Sequence, residues 1–505
     1  MEIYPIFLRY DKLLSTVGRR YTRHITRENL SCRNVYYYLG TKRERQIMSS
    51  IYREPVVVRR IEQRSSLKKI TSNSTIAAAV MVLAALIALV VANSPAHEVV
   101  REILEVQMSF SLGMIHAHMA LEVFVNDFLM AIFFLLVGIE LKYEVTVGQL
   151  RKPRQAMLPM LAAVGGVAVP ALIYLALNAS SAPHGWATPI ATDIAFALGV
   201  MSLLGNRISP QTKVFFQTLA IADDILAIVV IALFYGHTPD IAWLAASLGV
   251  LVILWGMNRL KIYSSGPYLL VGLVLWVCMY HSGIHATLAG VLLAFFLPSH
   301  SDVRLSKLGS WLSRRARELD DHYDDEHHVL GQHDFTHGAN SIEQVMHHVT
   351  PPLQRVEHYI SVFVNFVVLP IFAFVNAQIT LVGADFGALL SSSIAHGVFF
   401  GAVLGKPLGI IFVTLLLVKC KICKLPAKVD WIQITAVGLM GGLGFTMSIL
   451  ISNLAFPDAG EILAAKVAVL AASFASAILG LLFVHLAEFY KHQRQSSLRE
   501  DAVQE

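Results

Sequence analysis

The sequence predicts an all-α polytopic membrane protein with about 12 transmembrane helices. Hydrophobic residues make up 55% of the 505-residue chain and charged residues only 15%, whereas a typical soluble domain is about 25% charged. Apolar runs recur almost from end to end. With only four cysteines in so long a chain, the composition argues against a disulfide scaffold, and it also argues against a nucleic-acid-binding protein.

The apolar runs divide into candidate spans because about 20 apolar residues cross the hydrocarbon core of a bilayer. We predict twelve spans, at residues 75–92, 120–139, 156–178, 187–204, 212–235, 241–256, 266–280, 283–298, 359–377, 388–418, 432–453 and 462–486. Several are short, and two adjacent pairs nearly touch.

Positive charge gives the predicted orientation, since Lys and Arg concentrate in cytoplasmic loops. Every second gap between spans is basic: Arg151, Lys152 and Arg154; Arg207 and Lys213; Arg259 and Lys261; Arg304 to Arg317; Lys419 to Lys428; Lys491 and Arg494. The other gaps are nearly bare, with Arg101 as the exception. The alternation predicts an even number of spans, with both termini in the cytoplasm.

Three regions follow from this pattern: a basic extension at 1–70, a membrane domain at 71–490 and a tail at 491–505. The extension holds 16 Lys and Arg against six Asp and Glu, and it lacks the pattern of a signal peptide. It fits a cytoplasmic arm on anionic lipid, a disordered tail, or a sequence upstream of a true start at Met48.

Two connections are long. The first, near 98–118, contains an alternating run from Glu105 to Gly113 that predicts an external β-hairpin near 103–115. The second, at 299–351, is predicted to be cytoplasmic. It carries most of a set of nine histidines: His300, His322, His327, His328, His333, His337, His347, His348 and His358. A metal site or a pH sensor is one interpretation, but the irregular spacing favours a flexible, solvated loop. Elsewhere, Cys420 and Cys423 form one isolated CxxC, which we interpret as incidental.

Ionisable residues inside apolar runs are the strongest functional signal, because burying a charge is costly. The chain has five such residues, four acids and one base: Asp127, Asp193, Asp223, Asp224 and Lys406. One base cannot pair with four acids. At least one carboxylate must therefore be neutralised by a proton or by a bound cation.

Asp223 and Asp224 are adjacent, so their side chains diverge by about 100° on a helix and serve different neighbours. One can pair with Lys406 while the other faces a cavity, where a proton and a hard cation compete for the same oxygens. That competition is the minimum requirement for cation/proton exchange. The alternative is an aspartate pair that only holds helices together. Asp127 lies near the external end of its span, where a structural role is equally plausible.

Two spans look broken, the fourth at Thr192-Asp193 and the eleventh within Gly438–Ser448, which is rich in glycine. Unwound backbone is tolerated at membrane depth only where it is buried or lines a wet cavity, although glycines also serve close helix packing. Each break falls in the middle of a triplet of spans of opposite orientation, which indicates an inverted repeat. Asp193 and Lys406 have the charges needed to offset the facing helix ends.

Six strings together resemble the NhaA-type bacterial sodium/proton antiporter family. They are Phe133–Glu140, Ala191–Gly199, Asp223-Asp224, His281–Gly290, Gly405–Gly409 and Gly441–Ile449, in the family's order across about residues 70–490. The resemblance implies an electrogenic exchanger of the bacterial inner membrane. It would expel Na⁺ or Li⁺, admit protons, respond to alkaline pH and perform no chemical catalysis, and it would need no cofactor.

The resemblance also assigns roles to residues. Asp224 would be the principal carboxylate for the cation and the proton, and Asp223 its neighbour, paired with Lys406 when the cation is absent. Asp223 and Asp224 would be the ligands of Na⁺. Thr192 and Asp193 would sit at the helix crossing. Asp127 matches an acid of the external funnel, and five residues match positions linked to pH response: Glu140, Glu144, His285, Glu357 and His358. The predicted hairpin resembles the element through which family members form homodimers within the lipid bilayer.

The sequence departs from the family where Ile225 and Leu226 follow the aspartate pair, since the family usually has Leu-Gly there. The basic extension and the histidine-rich loop have no counterpart that aligns. We hypothesise that this loop, which precedes Glu357 and His358, modifies the pH response.

Other function classes remain. An intramembrane aspartyl protease needs two facing carboxylates but has no use for Lys406 or for paired broken helices. A cation channel would be hindered by a lysine at its site. A secondary transporter of an organic anion, with Lys406 as the partner of the anion, is the main alternative.

Overall fold

The computed structural model describes residues 74–504, apart from 113–114, 152, 237, 383–385 and 427–428. The predicted extension at 1–70 and its boundary lie outside the described residues. At the other end the last helix continues to Gln504, so the predicted tail at 491–505 begins inside a helix.

The first half of the described chain contains ten α-helices and a two-stranded sheet, joined by short 3₁₀ and π segments. In order they are α1 (Ser74–Ala92), α2 (His97–Glu105), β1 (Gln107–Leu112), β2 (Ile115–Ala120), α3 (Leu121–Phe124), a π segment (Val125–Leu129), α4 (Met130–Thr146), α5 (Pro153–Asn178), a 3₁₀ segment (Pro183–Ile190), α6 (Ile194–Leu203), α7 (Pro210–Phe234), α8 (Ile241–Arg259), α9 (Ser265–His281) and α10 (Leu288–Phe296).

The second half is also helical. It contains α11 (Leu305–His322), α12 (His333–Val349), α13 (Pro352–Phe363), a π segment (Val364–Val368), α14 (Leu369–Asn376), α15 (Phe386–Ser391), α16 (Ser393–Phe400), a π segment (Gly401–Gly405), α17 (Lys406–Lys419), α18 (Trp431–Gly441), α19 (Phe445–Ala455) and α20 (Ala459–Gln504). The predicted all-α polytopic membrane fold is confirmed.

The number of spans differs in detail from the prediction. Among the described residues, nine helices are long and apolar enough to cross a membrane, and α18 with α19 forms a tenth span with a 42° bend. The other two predicted spans correspond to α9, with 17 residues, and α10, with nine. At about 1.5 Å per residue, α10 alone covers less than half of a bilayer core.

Hydrogen bonds between helix ends show the predicted alternation of direction. At one end, Asn93 Nδ2 donates to Ile379 O (2.8 Å) and Asn178 Nδ2 to Ser393 O (3.0 Å). At the other, Ser209 Oγ donates to Gln433 Oε1 (3.0 Å). All six of these residues lie at the ends that the charge pattern assigns to the matching side of the membrane. Which side is the cytoplasm stays a prediction.

The predicted β-hairpin is present, but it lies a few residues further along the chain than 103–115. β1 and β2 pair antiparallel from Gln107 with Ala120 to Leu112 with Ile115. The residues from 103 to Glu105 belong to α2 instead. We call the end of the helix bundle that carries this β-hairpin the hairpin end, and the other end the opposite end.

The prediction of a flexible loop at 299–351 is wrong. The segment folds as two helices, α11 and α12, around a turn that is held by Gln332, whose Nε2 donates to Asp324 O (2.6 Å) and His327 O (2.7 Å). We call α11 and α12 with this turn the helical insertion. No group of three or more His, Cys, Asp or Glu side chains that could hold a metal ion occurs among the described residues.

The helix pair α5 and α17 brings Lys406 toward the centre of the bundle through backbone contact at glycines. A Cβ added to Gly409 would lie 2.0 Å from Gly165 O, and one added to Gly165 would lie 2.5 Å from Gly409 O. Small residues permit such close approach between membrane helices, where dispersion drives packing.

We therefore expect Gly409→Ala to destabilise the protein by about 1–3 kcal/mol, the usual cost of overpacking, and to lower its thermal unfolding temperature in detergent. The matched control is Gly249→Ala in α8, where an added Cβ would meet nothing within 4 Å. Equal unfolding temperatures for the two variants would contradict this account of the packing.

Candidate ion-binding site

The first break lies between the 3₁₀ segment and α6, where Ala191 (ψ 151°) and Asp193 (ψ 100°) are extended. Asp193 is the N-cap of α6, because its Oδ1 accepts a hydrogen bond from Phe196 N (3.0 Å). Aspartate is a favourable N-cap. The local sequence therefore ends one helical segment and begins the next inside the predicted span.

The second break lies between α18 and α19, at Gly442 to Gly444. A Cβ at Gly442 would lie 2.7 Å from Ala402 O, and one at Gly444 would lie 2.7 Å from Ala191 O. The glycines thus serve both an unwound backbone and close packing, the two interpretations that the sequence left open.

The two breaks cross and are joined directly. Asp193 N donates to Leu443 O (2.6 Å). The carboxylate of Asp193 also accepts from Thr446 Oγ1 (2.6 Å) and Thr446 N (3.3 Å), in the first turn of α19. One buried carboxylate therefore faces the positive N-terminal ends of both half-helices, as the predicted offset of the helix dipoles requires.

Lys406 is fully buried and lies at the crossing beside a C-terminal helix end, whereas Asp193 faces the N-terminal ends. Its Nζ donates to Ile190 O at the end of the 3₁₀ segment, to Thr192 Oγ1 (2.6 Å) and to Asp223 Oδ2 (2.5 Å). A cation beside the last carbonyl of a helical segment offsets its negative end. Lys406 thus compensates both a helix end and a carboxylate.

Asp223 and Asp224 diverge, as adjacent helical residues must. Asp223 Oδ2 binds Lys406 and accepts from Thr192 Oγ1 (2.6 Å). Asp224 instead lines a cavity of about 190 Å³. Within the described chain, no group donates a hydrogen bond to Asp224 Oδ1.

The cavity is lined by oxygen-bearing side chains from five spans, together with apolar residues. The polar lining residues are Glu140, Thr192, Asp193, Gln217, Asp224, Asn365 and Thr446. Carboxylate, hydroxyl and amide oxygens are the ligands that hard cations prefer. These oxygens, together with water, suit Na⁺. They do not form a ready-made metal site, since the described residues contain no group of three or more His, Cys, Asp or Glu side chains that could hold a metal ion.

The charges at the crossing do not balance. Asp193, Asp223 and Asp224 are at most 4% exposed, and Lys406 is the basic residue bound among them. An unpaired charge in such surroundings is strongly disfavoured. The site is therefore complete only with additional positive charge, which protons or a metal cation can supply.

The structure brings together only part of the predicted pH-response group. Glu140 lines the cavity and interacts electrostatically with Glu144 and Glu357, and His358 neighbours Glu357. His285 instead lies at the hairpin end, where its Nε2 is 2.7 Å from Tyr235 O. It precedes α10, whereas Lys142, close to Glu140, contacts the far end of α10 at Leu297 O (2.5 Å).

Asp127 is half-buried in the π segment Val125–Leu129. It is absent from the cavity lining, in keeping with its predicted place nearer the external end.

Sequence reasoning did not single out Thr446, Gln217 or Asn365. Thr446 carried a signal, since it is a hydroxyl residue in the first turn after the glycine-rich break. Gln217 lies seven residues, or about two helical turns, before Asp224 and therefore on the same face of α7. Leu226, which departs from the family pattern, is partly buried against a core cluster that includes Leu219 and Phe216, so its bulk is accommodated.

Comparisons with known proteins identify the family of this chain. The model of a family described as "Na+/H+ antiporter 1" matches residues 68–484. A Na(+)/H(+) antiporter NhaA of Helicobacter pylori (strain G27) is 40% identical over 433 residues, which cover 84% of this chain and 96% of that protein. One from Janthinobacterium sp. (strain Marseille) is 41% identical over 423 residues, covering 83% and 92%.

Among solved structures, the sodium proton antiporter MjNhaP1 of Methanocaldococcus jannaschii at pH 8 aligns with a TM-score of 0.40 and 14% identity, over 81% of this chain and 90% of that one. The family model covers most of the chain, and the relatives are aligned over nearly their whole length. The chain therefore belongs to the NhaA-type Na⁺/H⁺ antiporter family.

Proposed function

We propose that this protein exchanges Na⁺ or Li⁺ for protons at Asp224, beside the Asp223–Lys406 ion pair. The observation that carries the proposal is the surplus of buried carboxylates over buried bases, with the surplus carboxylate facing a cavity. Family membership supports the same activity.

The exchange follows from competition for the same oxygens. When Asp224 is protonated it is neutral, and the crossing holds one fewer negative charge. When Na⁺ enters, the carboxylates of Asp224 and Asp193 and the hydroxyl of Thr192 are the oxygen ligands that line the cavity, and the proton leaves. Asp223 is already held by Lys406 and Thr192. Alternating access of this site then couples the two fluxes.

Several finer features belong to the same proposal. They are electrogenic transport, which requires a second proton beside that of Asp224 because one proton for one Na⁺ moves no net charge, activation at alkaline pH, a bacterial inner-membrane location with both termini cytoplasmic, and a homodimer formed through β1 and β2. No resident cofactor is needed, because Na⁺ and protons are the transported substrates.

The alternative of an organic-anion transporter is less well supported. Lys406 would have to bind the anion, yet it is fully buried and engaged by Asp223, Thr192 and Ile190 O. The cavity beside it is lined by carboxylates, which repel an anion.

Asp224→Asn should abolish Na⁺-induced proton movement, because the amide keeps the shape and hydrogen bonding of the carboxyl group but cannot exchange a proton for a cation. The measurement is the collapse of an imposed pH gradient on adding Na⁺ to proteoliposomes without any organic solute. Asp240→Asn is the matched control, since Asp240 caps α8 and asparagine caps equally well. A mutant that responds like the native protein would rule out Asp224 as the coupling carboxylate.

The Asp223–Lys406 pair should show strong coupling in a double-mutant cycle. Asp223→Asn leaves Lys406 charged and buried without its carboxylate, so we expect a loss of about 3–5 kcal/mol in the free energy of unfolding. Adding Lys406→Gln should restore much of it, because two amides can hydrogen-bond without charge. Denaturant unfolding in detergent measures all four proteins. Losses that simply add would show that the pair is not coupled.

The helical insertion should change the pH response, because histidine contacts join its two ends to each other and to the first turn of α13. His348 Nδ1 lies 3.1 Å from Asp302 Oδ2, and His347 contacts Arg355 in the first turn of α13, two residues before Glu357. Burial, followed by the charges of Arg355 and His348, lowers the pKa of His347.

Replacing residues 303–349 by a short Gly/Ser linker should therefore change the pH at which exchange begins. The replacement is feasible because Leu353 N donates to Pro298 O (3.1 Å), which places the two flanks of the insertion side by side. The control replaces only the turn, residues 323–332, and leaves the contacts of His347 and His348 intact. A pH profile that is unchanged by the full replacement would remove the insertion from pH regulation.

A further inference from the structure

Three amide side chains form a hydrogen-bonded chain on the hairpin side of the ion site. Asn453 Nδ2 donates to Asn376 Oδ1 (2.6 Å), and Asn376 Nδ2 donates to Asn126 Oδ1 (2.6 Å) and to Phe372 O (3.1 Å). Asn376, the central member, is 1% exposed. We call Asn126, Asn376 and Asn453 the amide chain.

Each amide comes from a different span, and all three of these spans also contribute side chains to the cavity of the ion site. Asn453 follows Thr446 by seven residues on α19, which places it on the same face about 10 Å further toward the hairpin end. Asn126 directly precedes Asp127 in its π segment. Asn376 is the last residue of α14, close to the Asn93–Ile379 contact of the hairpin end. The amide chain thus lies on the hairpin side of the crossing, at about the level of Asp127.

Apolar side chains surround the amide chain. Val125, Val375, Leu450 and Ile451, neighbours of the three asparagines in sequence, belong to one buried cluster. In such surroundings an amide without partners is costly, and here the three amides satisfy one another. The cluster and the amide chain together close the hairpin side of the site.

The cavity extends the other way. Glu140 is on the same span as Asn126 but 14 residues further toward the opposite end, and Asn365 precedes Asn376 by 11 residues on its span. Both line the cavity that contains Asp224, whereas no member of the amide chain does. The path to the site is therefore asymmetric, with space on one side and the amide chain on the other.

We propose that the amide chain is the gate between the ion site and the hairpin end, closed in this structure, and that its amides separate once in every transport cycle. The inference rests on the proposed function, since a gate has meaning only for a transporter. Amides suit this position because they carry no charge that would retain Na⁺. Their oxygens can nevertheless face a passing hard cation.

The test is to bridge the chain covalently. Asn376→Cys and Asn453→Cys are introduced into a variant without native cysteines, and a short thiol-reactive bis-methanethiosulfonate reagent links them. Linkage should arrest Na⁺-induced proton movement, and reductant should restore it. If the linked protein, verified by mass spectrometry, exchanges at the unlinked rate, the amide chain does not open and the proposal is overturned.

The control bridges Ser181→Cys and Ser393→Cys, also at the hairpin end, where the two hydroxyls lie 3.2 Å apart between α5 and α16. That bridge should leave exchange intact, because it joins two packed helices away from the amide chain. Native protein without exchange would refute the proposed function itself, whereas native exchange with an inert bridge refutes only the gate. Should the first pair fail to fold, Asn126→Cys with Asn376→Cys provides the same test.

A second measurement separates gating from simple stability. Asn453→Ala weakens the closed gate, so the ratio of half-saturating Na⁺ concentrations measured from the two sides of oriented vesicles should change about five- to tenfold, the factor expected for one lost hydrogen bond. Asn178→Ala is the control, since Asn178 is fully buried and joins α5 to Ser393 O (3.0 Å) at the same end. It should lower stability without changing the ratio. Equal ratios in both variants would make the amide chain merely structural.

Discussion

The crossing of two broken helices inside the membrane is the constraint on which the rest of the structure depends. Each break leaves helix ends with partial charges and unpaired backbone groups where no bulk water can solvate them. Asp193 meets the two positive ends through Phe196 N and Thr446 N, and Lys406 meets a negative end at Ile190 O. The breaks persist because these two side chains compensate them.

Compensation alone would need one acid and one base. The chain adds Asp223 and Asp224, and Asp223 takes part of the charge of Lys406 through a 2.5 Å contact. The surplus negative charge therefore falls on Asp224, in the cavity. A purely structural crossing would be neutral without any bound ion, whereas this one needs a bound proton or a bound cation to balance its charge. In the proposed function, exchange therefore arises from the charge imbalance at a crossing that the fold already requires.

Much of this was predictable from the sequence because the signals are local. Charges within apolar runs, glycines in the eleventh span and alternating loop charges identified the spans, the breaks and the acids. The irregular spacing of the histidines favoured a flexible loop. The helical insertion was nevertheless indicated by the helical spacing of Leu305, Leu308, Leu312 and Leu319 in α11. The separation of His285 from Glu140 already follows from the predicted spans, since span 120–139 ends on the basic side of the membrane and span 283–298 begins on the other side; the family resemblance alone had grouped the two residues.

In the proposed mechanism, helix α19 connects the ion-binding site with the amide chain. Its first turn places Thr446 on Asp193, and two turns later Asn453 binds Asn376. A helix of three turns is stiff, so a change in the hydrogen bond at its first turn tilts or shifts the amide at its last. In the proposed gate, a cation that draws Asp193 toward itself would change the Thr446 contact, and α19 would carry that change to Asn453 without any intervening flexible segment. Neutral amides at the far end would let such a movement open a path without retaining the ion, because they carry no charge that attracts it.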